Sequence, residues 1–335
     1  MNRKIPIVIV TGCLGSGKTT VLNYLLQQID NSRTAVIVNE FGKAGLDHHL
    51  LSVSQEKISL INSGCMCCNS RDDLEEEMKR LLFEHERLEK GYERIIIETT
   101  GLADPAPIAF TILNHPMLRN HFIIDLIMTI VDAENAQLQF EKSPEFVKQI
   151  SASDHLVITK NDLVTEQTRQ QVIENVRTLH PLVEIFDAYK GEVDLNVLEN
   201  NSTGLPLEQT LSQYQTQTMH GVSSEVKSIS FFFSSPLNWT AFTLWLSLLL
   251  HTHGENVLRV KGLLDVGEDA PINLNGVQHI IHPPIHLDAW PEDVSESFMV
   301  FIVRNIDPLL ILHSLETFQR YIGSDVELME FKESI

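Results

Sequence analysis

Cysteine is scarce in this chain: four among 335 residues, three of which, Cys65, Cys67 and Cys68, crowd into "SGCMCCNS". Near-neighbour cysteines bridge only with strain, so a disulfide framework is excluded. Basic side chains are also few, 25 Lys and Arg against 45 Asp and Glu, for a formal charge of −20. Nucleic acid and anionic lipid surfaces are bound through basic patches, so neither is an expected partner. The most apolar later stretch, residues 237–250, is broken by Asn238, Thr240, Thr243 and Ser247. It falls short of the ~20 residues a membrane span needs and predicts a buried helix. The opening "MNRKIPIVIVTG" lacks a signal peptide's cleavage site. With unbridged thiols, this predicts a reducing, cytoplasmic setting. No internal repeat is present.

What remains is an ordinary globular composition, 43% hydrophobic and 21% charged, in a chain long enough for two domains. Continuous Val/Ile runs at 5–10, 34–38, 58–61, 94–97, 123–131, 155–159 and 183–186 alternate with helical patterns such as 18–29, 71–90 and 167–179. That alternation predicts an α/β fold, a mostly parallel sheet covered on both faces. Residues 200–224, rich in Gln, Ser and Thr, read as a linker. The division expected is 1–199, linker 200–224, and 225–335, the last a smaller α+β domain with Phe231, Phe232, Phe233, Trp239, Phe242 and Trp245 in its core.

"IPIVIVTGCLGSGKTT" sets Gly12-x-x-x-x-Gly17-Lys18-Thr19 between a strand and a helix, the context of a P-loop NTPase. Gly12, Cys13, Leu14, Gly15, Ser16, Gly17, Lys18, Thr19 and Thr20 are the candidate phosphate-binding residues. Backbone N–H groups and the helix N-terminus face the phosphates. Lys18 neutralises the β- and γ-phosphates, and the Thr19 hydroxyl ligates Mg²⁺. "HLVITKNDL" adds Thr159, Lys160 and Asp162. An aspartate accepts from both N1–H and N2–H₂ of guanine, a pair adenine lacks, so GTP is the expected nucleotide. Thr159 stands where the guanine motif has Asn, which leaves one supporting hydrogen bond in question. In "RIIIETTGLADP", Glu98 ends a strand and suits Mg²⁺ or its water shell, and the Gly101 N–H meets the γ-phosphate. Asp132 of "MTIVDAEN" competes for the metal role; Glu98 is favoured because only it has the glycine at the right offset.

"GCLGSGKTT", "VNEFGKAGLDHHLL", "SGCMCCNSRDDL", "ETTGLADP" and "TKND" occur in the order and approximate spacing of the CobW/COG0523 P-loop GTPases. The chain resembles that family over about residues 5–165, and its tail is similar to the family's C-terminal domain. The resemblance implies delivery of zinc or cobalt to client proteins. Thiolates are soft ligands that suit Zn²⁺ and Co²⁺, so Cys65, Cys67 and Cys68 form the candidate cargo site. One tetrahedral position is left for Glu40, His48 or His49, a water, or a client's ligand. Two departures stand out: Lys43, where similar proteins often carry an acid, and Cys13, where an aromatic is more usual. Cys13 is expected to be packed beneath the loop.

The expected activity is hydrolysis of GTP to GDP and phosphate, with Mg²⁺, through Lys18, Thr19, Glu98 and Gly101. Intrinsic turnover is expected to be slow, since no arginine finger is evident. The triphosphate state holds Zn²⁺ (or Co²⁺) and hydrolysis releases it to a metalloprotein client. Two alternatives remain open: a metal store or regulator indifferent to nucleotide, and a P-loop kinase acting on a small molecule. "HTHG" and "HIIHPPIH" concentrate histidines in the tail, expected as solvent-facing strand and loop residues.

Overall fold

The computed structural model describes residues 4–29, 33–39, 58–61, 70–200, 225–291, 294, 296–321 and 328–333. The chain divides into two units, Met1–Ile173 with Val183–Asn201, and Glu174–Leu182 with Ser202–Ile335. The expected linker lies, apart from Asn200, outside the described residues.

In the first unit the apolar runs become β1 (Ile5–Thr11), β2 (Thr34–Asn39), β3 (Ile58–Ile61), β4 (Arg94–Glu98), β5 (Phe122–Asp132), β6 (His155–Thr159) and β7 (Glu184–Asp187). They form one sheet in the order β3-β2-β4-β1-β5-β6-β7. The sequence predicts a mostly parallel sheet; every described pairing in this one is parallel. Ile7, Val8, Ile9 and Val10 are all fully buried, which is why β1 is an unbroken apolar run rather than an alternating one.

Helices α1 (Lys18–Gln28), α2 (Ser70–Arg87), α3 (Ala106–Asn114), α4 (Leu118–His121), α5 (Ala136–Lys142), α6 (Pro144–Ala152) and α7 (Glu166–Leu179) link the strands. Val21, Leu22, Leu25 and Leu26 of α1 pack on Val8, Val10, Leu126 and Met128 of the sheet. Each such burial contributes about 1.5–3 kcal/mol. The short helices α3 to α6 span only four to nine residues each and are not among the helical patterns read from the sequence. Helix α6 starts on firm local chemistry: Pro144 takes its first position and the Ser143 hydroxyl accepts from Phe146 N–H at 3.2 Å, a pairing of preset φ and side-chain cap.

Strand order positions the site. The chain winds from β1 toward the β3 edge, returns through β4, then crosses β1 to build β5, β6 and β7. Such a reversal leaves a crevice at the carboxyl ends of the central strands. Register lines those ends up: Val10 sits opposite Glu98, Asp132 opposite Thr159 and Ile158 opposite Asp187.

The second unit has an antiparallel sheet of β8 (Val226–Phe233), β9 (Val257–Leu264), β10 (Ile272–Val277), β11 (Ile280–Ile281), β12 (Ile285–His286), β13 (Ser297–Arg304) and β14 (Leu328–Glu333). Its order is β11-β10-β9-β13-β8-β14, with β12 beside β10. Helices α8 (Trp239–His253) and α9 (Pro308–Tyr321) share a core with it that includes Phe231, Phe233, Phe242 and Trp245, as the sequence predicts. Asn238 caps α8 by accepting from Ala241 N–H at 3.0 Å, and its own N–H donates to Gln319 of α9 at 3.1 Å. Among the described residues, no helix is long and apolar enough to cross a membrane.

Candidate functional site

The turn after β1 is built by glycine geometry. Gly12, Gly15 and Gly17 have φ of 135°, 76° and 93°, backbone that other residues reach only with strain. At Gly12 a Cβ would lie 2.2 Å from the Ile130 carbonyl oxygen, so the loop is pressed against β5. Gly17 caps α1 without a side-chain acceptor, and the first turn of α1 holds no acidic residue. The N–H groups at that end therefore stay available, at the positive end of the helix dipole, for an anion. Ser16 Oγ is buried without a hydrogen-bond partner among the described residues, a polar group suited to a phosphate oxygen. Lys18 Nζ donates to the carbonyls of Gly12 at 2.8 Å and Cys13 at 3.0 Å, which folds the ammonium over the loop. This donor set fits a nucleotide's phosphates.

The end of β4 meets this loop twice. Thr19 Oγ1 donates to Glu98 Oε1 at 2.9 Å, and Glu98 is buried. A hydroxyl and a carboxylate at that contact are the oxygen ligands a hard cation such as Mg²⁺ takes. Gly101 has no room for a side chain: a Cβ would stand 2.3 Å from Leu14 N and 2.6 Å from Leu14 Cα. Thr100 to Ala103 form a turn closed by Ala103 N–H donating to the Thr100 carbonyl at 3.1 Å. Asp132, the rival for the cation, is engaged elsewhere. It accepts from Glu134 N–H at 2.9 Å, Asn135 Nδ2 at 2.7 Å and Lys160 Nζ at 2.5 Å. Its carboxylate caps a turn and holds Lys160, while that of Glu98 faces Thr19.

Thr159, standing where the guanine motif has Asn, makes a supporting contact of its own. Its hydroxyl, at 2.7 Å from the Ser16 carbonyl and 3.2 Å from that of Val131, ties the base-side strand to the phosphate loop. Lys160 has φ of 57°, which turns the chain sharply before the short 3₁₀ turn Asn161–Leu163. Asp162 is exposed and makes no side-chain hydrogen bond or ion pair among the described residues. The loop after β7 forms part of the same edge and is not apparent from the sequence. Gly191, at φ of 90°, lies against Thr20, whose Cγ2 would be 2.7 Å from an added Cβ. An open pocket of about 600 Å³ beside it is lined by Tyr24, Asn161, Asp187 and Tyr189 among others.

Cys13 is buried as expected, its Sγ 3.5 Å from Gln139 Oε1 and 3.8 Å from Gln149 Oε1. Burial pushes the thiol pKa up, against the opposing pull of Lys18. Cys65, Cys67, Cys68 and Glu40, with Lys43, His48 and His49, lie outside the described residues. In the tail, His251, His253, His279 and His286 are exposed as expected, whereas His282 is half-buried. Among the described residues, no three His, Cys, Asp or Glu side chains gather to hold a metal ion.

A phosphate-sized nest at the head of α1, beside the central strand of a parallel sheet, places the chain among the P-loop nucleotide-binding proteins. Its kinship is more particular. The domain described as "CobW/HypB/UreG, nucleotide-binding domain" matches residues 6–187, and the "Cobalamin synthesis protein cobW C-terminal domain" matches residues 226–319. The chain belongs to the CobW/HypB/UreG family. It is similar to the zinc chaperone YjiA of Escherichia coli (strain K12), 29% identical across 89% of this chain and 93% of that protein. It is also similar to zinc-regulated GTPase metalloprotein activator 1 of Schizosaccharomyces pombe, 27% identical across 92% of this chain and 82% of the relative. The crystal structure of Zn(II)-bound YjiA GTPase from E. coli shares the fold, with a TM-score of 0.70 at 24% identity, over 94% of this chain and 99% of that one.

Proposed function

We propose that this chain is a GTPase metallochaperone that carries zinc, with cobalt as the alternative cargo, and gives it up to a client metalloprotein. The observation that carries the reading is an arrangement at one sheet edge. The phosphate loop, Glu98 and Gly101 meet at the carboxyl ends of β1 and β4, and the parallel strand β3 ends at that edge too. The segment with Cys65, Cys67 and Cys68 follows β3 directly in sequence. The names of the two relatives, a zinc chaperone and a zinc-regulated GTPase metalloprotein activator, support the same reading.

In this reading Lys18 places its charge against the β- and γ-phosphates of GTP, and the N–H groups at the head of α1 hold their oxygens. Asp162 reads the guanine edge, and Thr159 keeps that loop in register with Ser16. Magnesium, held by Thr19 with Glu98 behind it, supplies charge neutralisation for the phosphates. The Gly101 N–H contacts the γ-phosphate, so the turn from Thr100 to Ala103 responds when the phosphate leaves. Cys65, Cys67 and Cys68 hold the cargo ion, with the fourth position open to Glu40, His48 or His49, a water, or a client's ligand. The working division is 1–199 for nucleotide and metal and 225–335 for the tail domain, joined through 200–224. A thiolate cargo site calls for a reducing compartment, which the cytoplasm provides.

The decisive experiment is an anaerobic zinc titration of the reduced protein, once with Mg-GTPγS and once with Mg-GDP. Tighter zinc binding in the triphosphate state is expected, and each tenfold difference is about 1.4 kcal/mol of coupling. Equal affinities would make the protein a store with an unrelated GTPase. Release of inorganic phosphate from GTP, with no phosphorylated small molecule, separates the reading from a kinase.

A further inference from the structure

Gln149 belongs to none of the nucleotide motifs, and its side chain is fully buried. A buried primary amide carries two donors and an acceptor that must be matched, because leaving one unmatched costs about 1–3 kcal/mol. Here the matches are concentrated on the nucleotide loops. Nε2 donates to the Ala103 carbonyl at 3.0 Å and to the Gly101 carbonyl at 3.4 Å. Oε1 faces the Cys13 thiol at 3.8 Å. The residue itself is anchored: its backbone carbonyl accepts from Thr129 Oγ1 at 3.0 Å and Ser153 Oγ at 2.7 Å.

One amide therefore joins two loops that are distant in sequence, the phosphate loop at Cys13 and the γ-phosphate turn at Gly101 and Ala103. The turn lies directly on the phosphate loop, since Gly101 packs against the Leu14 backbone. Thr11 Oγ1 reaches the Ala103 carbonyl only at 3.5 Å, so Gln149 makes the shorter of the two side-chain contacts to it. We infer that Gln149 is a positioning residue for γ-phosphate recognition: it sets where the Gly101 N–H stands relative to the phosphate loop, and so sets the preference for GTP over GDP. It acts through the turn and touches neither nucleotide nor cation.

This inference rests on the GTPase reading above. The test compares GTPγS and GDP affinity, each with Mg²⁺, and single-turnover GTP hydrolysis in wild type, Gln149→Leu and Gln149→Glu. Leu fills the volume without a donor. Glu is nearly isosteric, and its protonated form keeps one donor. Gln149→Leu is expected to lose about tenfold in the GTPγS-to-GDP affinity ratio and in hydrolysis rate, with GDP binding retained. Gln149→Glu should lose less, and its ratio should recover as pH falls and the acid protonates. An unchanged ratio in Gln149→Leu overturns the inference. If that variant fails to bind GDP because it does not fold, Gln149→Glu decides: a ratio equal to wild type at every pH overturns it. A wild-type protein that neither hydrolyses GTP nor distinguishes it from GDP overturns the GTPase reading instead.

Discussion

Thr19 and Glu98, 79 residues apart in sequence, are joined by a 2.9 Å hydrogen bond from the threonine hydroxyl to the carboxylate. The first turn of α1 and the end of β4 are thus held to one another beside the phosphate loop. Asp132, two strands over across β1, accepts from Lys160 and two local donors instead. Glu98→Gln keeps the shape and the acceptor but removes the charge. The magnesium concentration needed for half-maximal hydrolysis should rise about tenfold or more. Asp132→Asn should leave it nearly unchanged. The reverse ranking would return the metal role to Asp132.

Gly101→Ala places a methyl 2.3 Å from the Leu14 nitrogen, inside the range where backbone must move. The turn and the phosphate loop have to separate. Hydrolysis should fall by roughly a hundredfold, with GDP affinity changed much less, because the damage lies at the γ-phosphate end. Equal losses for GTP and GDP would mean that the turn serves the whole loop rather than the third phosphate.

Thr159→Val deletes the hydroxyl that ties the base-side strand to the Ser16 carbonyl at 2.7 Å. The variant should lose about 1–2 kcal/mol of stability by chemical denaturation and bind GTP more weakly. Thr159→Ser, which keeps the hydroxyl, should behave like wild type. If Ser costs more than Val, packing of the methyl against Gly17 is the real contribution.

Asp162→Asn replaces an acceptor with a group that also donates. Guanine loses one partner and meets a second donor, whereas xanthine offers an oxygen there. GTP affinity should drop at least about a hundredfold and xanthosine triphosphate should be preferred, as expected where a site is built around specific hydrogen bonds. A competition assay with ATP included checks it, and unchanged GTP preference removes Asp162 from base readout.

The Cys13 pKa is raised by burial above its ordinary 9.0, which has a signed consequence. The folded protein holds this proton more tightly than the unfolded chain does. The resulting stability is full below pH 9.0 and is lost as pH rises through the folded value. Denaturation midpoints of wild type should therefore fall above pH 9 more steeply than those of Cys13→Ala. With Cys65, Cys67 and Cys68 changed to Ser, the remaining thiol should resist alkylation at pH 8 until denaturant is added. Rapid native alkylation would place Cys13 in contact with solvent.

What the sequence determines by itself is whatever short-range geometry dictates. The spacing Gly12 to Thr19 defines a phosphate loop because the same few residues supply both the left-handed turns and the ligands. The unbroken Val/Ile runs announce a parallel sheet because strands buried on both faces cannot alternate. Three neighbouring thiols in a chain poor in cysteine make soft-metal chemistry an expectation by ligand type, at positions outside the described residues. The tertiary structure decides what depends on partners far apart. The glycine offset favours Glu98 over Asp132 locally, but that Glu98 faces Thr19 while Asp132 is held by Lys160 follows from strand register. Thr159 supports the loop in place of Asn because the Ser16 carbonyl is brought within reach of its shorter side chain. Gln149 is invisible in sequence because its partners, Gly101 and Cys13, lie 48 and 136 positions away, and an isolated Gln in a short helix carries no signal until the fold closes the loops around it.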